Sequence, residues 1–431
     1  MNLKPYPQYK DSGVDWIGEI PTGWKFKKIK HLTNVNISNI DKKSKEYEPA
    51  VLLCNYTDVY NNKSISNNLD FMKATASFEQ INKLALHKGD VLITKDSESA
   101  DDIAVPALVT EDLDNVVAGY HLAMIKPNDN ITGEYLFRLF ESKKINDQFV
   151  VAANGVTRFG ISTYPIKNSY LVVPSPQEQG KICSFLNKKT SEIDLTIEKD
   201  TQLIELLKEK RTTLINHVVT KGLDPRVKMK DSGVEWIGKI PGEWDVKKLK
   251  HELLILDYKR VPLSAEIRAD MKDKIYDYYG ASGIIDRVEN YIFNGKFILL
   301  GEDGANLLSR SSPLAFIAEG KFWVNNHAHI LDTKNGNLDY FVNLLESIDY
   351  TPQIEGSAQP KLTADNLKNV KVLVPPIFEQ NRIAAFIDDE TTHLDTTIQK
   401  IQQNINLLKE YKKSLINRVV TGKVDVREVA V

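Results

Sequence analysis

The stretch LDTTIQKIQQNINLLKEYKKSLINRV, residues 394–419, decides the architecture. Its apolar residues Leu394, Ile398, Ile401, Ile405, Leu408, Leu415 and Val419 follow alternating steps of four and three, with one beat missed at Lys412. A repeat averaging about 3.5 residues keeps one apolar seam on one face of a helix, and a second helix must bury it. The chain supplies that second helix. Ile193, Ile197, Ile204, Leu207, Leu214 and Val218 keep the same steps, with Asp200 and Arg211 off the beat. The two stretches correspond at a constant offset of 201: Glu178-Gln179 with Glu379-Gln380, Thr190 with Thr391, Asp194 with Asp395, Leu206-Leu207-Lys208-Glu209 with Leu407-Leu408-Lys409-Glu410, and Val218-Val219-Thr220 with Val419-Val420-Thr421. The chain carries two copies of one long helix. Continuous from Pro176 to Thr220, that helix spans about 68 Å at ~1.5 Å per residue.

Outside the helices, Lys10-Asp11-Ser12-Gly13-Val14-Asp15-Trp16-Ile17-Gly18-Glu19-Ile20-Pro21 and Trp24 recur as Lys230-Asp231-Ser232-Gly233-Val234-Glu235-Trp236-Ile237-Gly238-Lys239-Ile240-Pro241 and Trp244, at an offset of 220. The offsets differ by 19, so the first copy holds about that many extra residues between its motifs. This is a two-part repeat with variable filling. The Trp-Ile-Gly-x-Ile-Pro run reads as a turn stapled by an apolar pair, with its tryptophans in the core rather than on a ligand.

Within the first filling, Val91-Leu92-Ile93-Thr94, Val116-Val117-Ala118 and Leu122-Ala123-Met124-Ile125 read as strands bounded by Gly and Pro. Residues 135–142 have helical spacing. The second filling repeats the order with Phe297-Ile298-Leu299-Leu300, with Trp323-Val324-Asn325-Asn326-His327 ahead of another strand, and with a helix over residues 340–347. Ser175-Pro176-Gln177-Glu178 offers an N-cap, a first-turn Pro and a capping-box Glu, whereas Pro376 replaces the Ser in the second copy. Both helices are expected to stop near Gly222 and Gly422. One chain that traverses a whole module between its two helices pairs them antiparallel. The expected fold class is α+β: two small-sheet modules held apart by two long antiparallel coiled-coil helices in a pseudo-twofold repeat. The expected boundaries are 1–175 and 222–375 for the modules, 176–221 and 376–431 for the helices.

The 431 residues and formal charge of −2 allow two or three domains and give no global pull toward polyanions. Any nucleic-acid surface must come from local Lys and Arg clusters. Cys54 and Cys183 read as free thiols in a reducing compartment. The first ten residues lack a signal-peptide core, and no apolar run approaches the ~18 residues of a membrane span. A cytoplasmic protein without membrane contact is expected.

The residues now quoted carry a resemblance. The doubled Trp-Ile-Gly-x-Ile-Pro, the run Gly356-Ser357-Ala358-Gln359-Pro360-Lys361-Leu362, the Val-Pro-x-x-x-Glu-Gln helix entries and the Leu-Ile-Asn-x-Val-Val-Thr helix ends resemble the specificity subunit of type I restriction–modification systems. The resemblance covers nearly the whole chain, in the family's order of recognition domain, central helix, recognition domain and terminal helix. It implies that each module reads one half of a bipartite, asymmetric site on double-stranded DNA. It implies that the helices act as a ruler and dock two adenine methyltransferase (modification) subunits, with translocating restriction subunits joining them. The first copy departs from it at Gly155-Val156-Thr157-Arg158-Phe159, where Gln-Pro-Lys is missing. A coiled-coil spacer joining two protein partners, without DNA, is the alternative that the near-neutral charge favours.

Catalytic motifs are sparse. The chain has neither a Gly-x4-Gly-Lys-Ser/Thr phosphate loop nor an Asn/Asp-Pro-Pro-aromatic run, so it is expected to be no enzyme and to hold no cofactor. His327-Ala328-His329, which would point one way on a strand, aligns with His121 and Ala123, and a packed or hydrogen-bonded role outweighs a metal site. Gly301-Glu302-Asp303-Gly304 aligns with Thr94-Lys95-Asp96-Ser97 and reads as a turn rather than an acid–base pair. DNA contacts need Lys, Arg and amide side chains on loops. Candidates in the first copy are Lys43 within the Lys42-Lys43-Ser44-Lys45 run, Lys95, Ser97, Thr157 and Arg158. In the second they are Asn306, Ser309, Arg310, Gln359 and Lys361. Asp388-Asp389-Glu390 reads as a solvated helix face.

Overall fold

Long helices form where the apolar spacing places them. In a computed structural model describing residues 3–235, 237–356 and 359–429, the first runs Pro176–Lys221 and the second Ile377–Val420. Gly222 and Gly422 follow them at φ of 77° and 72°, the left-handed conformation that ends a helix without a Cβ clash. At Gly422 the space is closed as well, because a Cβ would lie 2.4 Å from Pro21 Cδ.

The chain divides into two compact units, one of Met1–Thr201 with Gln403–Val431 and one of Gln202–Gln402. Each contains the start of one long helix and the end of the other. In the first unit Ile193, Leu415, Ile416, Val419 and Val420 are buried in one core. In the second, Ile215, Val218 and Val219 share a core with Ile383, Ala384 and Ile387. Polar residues at and around the off-beat positions tie the helices together. Lys412 is paired with Asp194, and Asn404 Nδ2 donates to Asp200 Oδ2 at 2.9 Å. One index rises while the other falls, so the segments within the first unit run antiparallel. In the second unit Arg211 Nε lies 3.3 Å from Asp395, the pair that the 201-residue offset maps onto Lys412–Asp194. The missed beat in the seam is thus a cross-helix ion pair.

The Glu-Gln pair at each helix start has a different job from the one its spacing suggests. The Ser175 hydroxyl accepts from Glu178 N at 3.3 Å, but the Glu178 carboxylate does not close a capping box. It takes the Trp24 indole N–H at 3.1 Å and the Tyr6 hydroxyl at 2.7 Å. Glu379 likewise takes the Trp244 indole N–H at 2.9 Å. Gln179 Oε1 accepts from Thr132 N and Gln380 Oε1 from Asn337 N, anchoring the N-cap residue of the preceding module helix. That module helix is fastened at its other side by a buried tyrosine. Tyr135 donates between Val172 O and Val420 O, and Tyr340 between Leu373 O and Val219 O. Trp24 and Trp244 are core residues as expected. Trp16 is not: it is 37% exposed, and Ile17 and Ile20 fill the core beside it. Trp236 lies outside the described residues.

The first unit has a five-stranded sheet in the order Thr33–Ile37, Leu122–Pro127, Val91–Thr94, Pro106–Val109, Ser64–Ile65, and the second a six-stranded sheet in the order Leu253–Ile255, Ala328–Thr333, Phe293–Gly301, Ala315–Val324, Tyr276–Gly280, Gly283–Val288. The shared part is the edge strand, the strand paired to it and the central strand. Val91–Thr94 and the end of Phe293–Gly301 occupy that centre, and their apolar residues are buried because sheet neighbours flank them on both sides. The expectation of one repeated strand order fails at Val116–Ala118. That strand belongs to a second, three-stranded sheet with Ala50–Cys54 and Met72–Thr75, which has no counterpart among the described residues of the second unit. Cys54 and Cys183 are free and buried. Burial drives the Cys183 thiol pKa up to about 12 and raises that of Cys54 further. No helix among the described residues is long and apolar enough to cross a membrane.

Candidate nucleic-acid interface

Each central strand delivers its loop beside a short closed hairpin. In the first unit Asn154 and Gly160 exchange backbone hydrogen bonds at 3.0 and 2.9 Å, and Phe159–Gly160 pairs with Asp96–Ser97. In the second, Glu355 and Lys361 exchange them at 2.8 Å each, and Lys361 bridges Asp303. The hairpins correspond at the helix offset of 201. Gly155 and Gly356 both have positive φ, and a Cβ there would meet the carbonyl of Arg158 or Gln359. The divergent Gly155-Val156-Thr157-Arg158-Phe159 therefore opens at a positive-φ glycine and closes on the same backbone pair as the described ends of the Gly356–Pro360 run. Ser357 and Ala358 of that run lie outside the described residues.

Asp96 and Asp303 each hold a histidine. His121 Nδ1 is 2.6 Å from Asp96 Oδ2, and His327 Nδ1 is 2.9 Å from both Asp303 oxygens. These are aligned residues in both copies. Reading His327-Ala328-His329 as a unit hid the pair, because only its first member recurs. The two histidines of that unit separate. His327 stays half-exposed on Asp303, while His329 is fully buried, with Nδ1 2.6 Å from Asp257 and Nε2 2.8 Å from the Leu362 carbonyl.

His329, Asp257 and Glu302 offer ligand atoms within 4.8 Å of one another. Arg260 already sits among them: its guanidinium bonds Glu302, lies 3.4 Å from Asp257 and donates to Ala328 O at 2.9 Å. It supplies the positive charge that a cation would bring. Burial pushes the Asp257 and Glu302 carboxyls up, but hydrogen bonds and charge from His329 and Arg260 outweigh it and hold both below the usual range. Carboxyls depressed on folding stabilise the fold above their unfolded value of about 4, and that stabilisation is lost as pH falls through the lower folded values. The second unit should lose thermal stability on acidification below about pH 4. Asp257→Asn should lower its stability near pH 7 by about 2–4 kcal/mol and flatten the acid limb, measured by thermal melts across pH.

The predicted contact residues divide by what already engages them. Lys43, Thr157, Arg158, Ser309, Gln359 and Lys361 are exposed. Arg158 Nη2 lies 3.4 and 3.5 Å from the two ring nitrogens of His121, so it sits over the imidazole. Lys95 is 3.0 Å from Asp96 and over the Tyr120 ring. Lys361 Nζ is 3.1 Å from Glu302 and remains half-exposed. Ser97 is buried and its hydroxyl accepts from Ser99 N. Asn306 spends its amide on Ser312 N, Ser312 O and the Ser311 hydroxyl, closing its own loop. Arg310, at φ 50°, bonds the carbonyls of Glu346 and Ile348 at the end of helix Leu338–Ser347. These last three positions shape the loops, and sequence alone could not separate that from ligand contact. The structure brings Lys43, Lys95, Ser97 and Arg158 around the His121–Asp96 pair, with Lys42, Lys43 and His121 lining one cavity beside Tyr56 and Tyr120. Lys361 joins Glu302 and Asp303, while Asn306, Ser309 and Arg310 occupy the loop beyond.

The sequence model of the type I restriction modification DNA specificity domain matches twice, at residues 21–206 and 241–407. This chain belongs to the type I restriction–modification specificity subunit family. The type I restriction enzyme MjaIX specificity subunit of Methanocaldococcus jannaschii is 23% identical over 440 aligned positions, covering 96% of both chains. A relative from Haemophilus influenzae is 33% identical over 147 residues, 34% of this chain and 36% of its own length. A chain from a structural study of complex assembly and conformational transition in the type I restriction–modification system superposes with a TM-score of 0.72 at 14% identity, covering 94% of this chain and 99% of that one. The two matched segments are the two target recognition domains with their helices. Members of this family are specificity subunits, not the catalytic ones, and this chain is not an enzyme.

Proposed function

We propose that this specificity subunit reads a bipartite, asymmetric double-stranded DNA site, one half per recognition module, and docks two methyltransferase subunits joined by restriction–translocation subunits. The supporting observation is the doubled hairpin-and-loop frame. Backbone bonds, a buried central strand and a Gly at positive φ are the same in both copies, while the side chains displayed on the frame differ. A common scaffold with divergent exposed polar residues suits two readers of different base sequences. We assign residues 1–175 and 222–375 to the readers and 176–221 and 376–431 to the paired helices that space them. Lys43, Thr157 and Arg158 in the first reader, and Ser309, Gln359 and Lys361 in the second, are its exposed or half-exposed contact residues, and Lys95, with 16% of its side chain exposed, joins them in the first. The match to a structure of type I assembly supports the docking of partner subunits.

With its methyltransferase partner, the chain should protect DNA at one site composed of two separated halves in a footprinting assay, and methylated-adenine sequencing of the host genome should return the same bipartite motif. One continuous protected block would overturn the proposal. Salt-insensitive binding would favour the spacer alternative, because phosphate neutralisation makes affinity fall steeply with salt.

A further inference from the structure

Two histidines hold the same place in two modules whose other loop residues have diverged. His121 and His327 each precede the inner strand, and each turns Nδ1 onto the aspartate that follows the central strand. A carboxylate only accepts, so Nδ1 must donate and Nε2 lies on the side of the ring away from the carboxylate, in His121 with Arg158 Nη2 at 3.5 Å. Both rings are partly open, with 30% and 48% of their side chains exposed. His121 also adopts φ of 72°, a conformation that costs a non-glycine residue energy and is retained where the position matters.

What two readers of different sequences have in common is the DNA backbone, not the bases. We propose that His121 and His327, each oriented by its aspartate, are phosphate-contacting residues that dock the two modules on DNA as imidazolium donors. This rests on the DNA-reading function proposed above. With Nδ1–H on the aspartate, neutral imidazole would present only a lone pair at Nε2, and a phosphate needs a proton there. Contact is therefore coupled to protonation, because only the doubly protonated ring donates to the aspartate and to a phosphate at once. The charged and titratable groups facing His121 are Asp96, Lys95, Arg158 and Tyr120, with Asp41, Lys42, Lys43 and Tyr56 across the cavity. Those around His327 are Asp303, with Glu302, Arg260 and Lys361 on the adjoining segments.

The test uses the full-length chain and a 40-bp duplex of arbitrary sequence, since phosphate contacts ignore base identity. Affinity is measured by anisotropy over a salt series at pH 6.0 and pH 8.5. Each phosphate neutralised contributes about 0.9 to the slope of log affinity against log salt. The His121→Gln, His327→Gln double variant should lose about two from the slope at pH 6.0 and almost nothing at pH 8.5. A His121→Lys, His327→Lys variant, which keeps the cation beside each aspartate, should hold the steeper slope at both pH values. Equal slopes for wild type and the Gln variant at pH 6.0 overturn the proposal. If the Gln variant does not fold, a Lys variant whose slope still changes with pH as wild type does overturns it as well. Wild-type binding with no salt dependence at all overturns the DNA-reading function itself, and these contacts with it.

Discussion

Under the proposed function, inserting seven residues after Leu206 and seven after Leu407 will lengthen the gap between the two proposed DNA half-sites by about three base pairs and leave both half-sequences unchanged. Seven residues add two helical turns, about 10.5 Å at 1.5 Å per residue, against ~3.4 Å per base pair. The insertions must be paired. Asp194–Lys412 locks the helix segments in the first unit and Arg211–Asp395 does so in the second. Both positions lie between these locks on their respective helices, so equal additions keep both ion pairs and the apolar repeat in register. An insertion in one helix alone forces one lock to break or its module to shift. The expected outcome for the single insertions is loss of site-specific modification, whereas the double insertion modifies a re-spaced site. The measurement is methylated-adenine sequencing of DNA exposed to each variant complex. An unchanged gap in the double insertion overturns the spacing role of the helices.

Much of this architecture was legible because its determinants are local and periodic. The seam of Ile193, Ile204, Leu394, Ile405 and Leu415 is a one-dimensional signal, and the structure buries each of these residues. The 201-residue offset carried the repeat for the same reason. Polar residues were harder. Lys412 looked like an error in the seam until its partner Asp194, 218 residues away, came beside it. Glu178 at the third helical position reads as a capping box from spacing alone, and only the fold brings Trp24 and Tyr6 to it. Among the candidate DNA contacts, Asn306 and Arg310 have the right chemistry for bases and an equally right chemistry for capping a loop or a helix end. Which one wins depends on whether Ser312, Glu346 and Ile348 present free carbonyls within reach, and those lie 6 to 38 residues away. The Asp96–His121 and Asp303–His327 pairs were within reach of the sequence alignment. Both members recur between the copies, 25 and 24 residues apart, but nothing one-dimensional shows that the ends of two neighbouring strands place them together.

Trp24→Ala will unfold or severely loosen the first unit while sparing the second, and Trp244→Ala will do the reverse. Both indoles are buried to within 1% of full enclosure. Trp24 packs with Ile17, Ile20 and Val419 in a core that also takes in the sheet and the ends of both helix segments, and Trp244 has the matching place with Ile237, Ile240 and Val219. Truncating an enclosed tryptophan removes its transfer free energy and leaves a cavity, at about 3–5 kcal/mol. A second cost follows from the indole N–H. Glu178 and Glu379 would keep their carboxylates in a partly buried site without that donor, which adds about 1–3 kcal/mol. Together these approach the 5–15 kcal/mol that holds an ordinary domain folded. Trp24→Phe separates the two contributions, because it fills most of the volume and still lacks the N–H; its loss should be the smaller share. Hydrogen exchange resolved by peptide is the measurement. Protection should collapse in residues 91–94 and 122–127 of the Trp24 variant and persist in 293–301 and 328–333. Under the proposed function, the same protein would then protect only the DNA half-site read by the intact module. Equal loss of protection in both units would mean that the tryptophans support one shared core, which the separate clustering of the two sets of buried residues argues against.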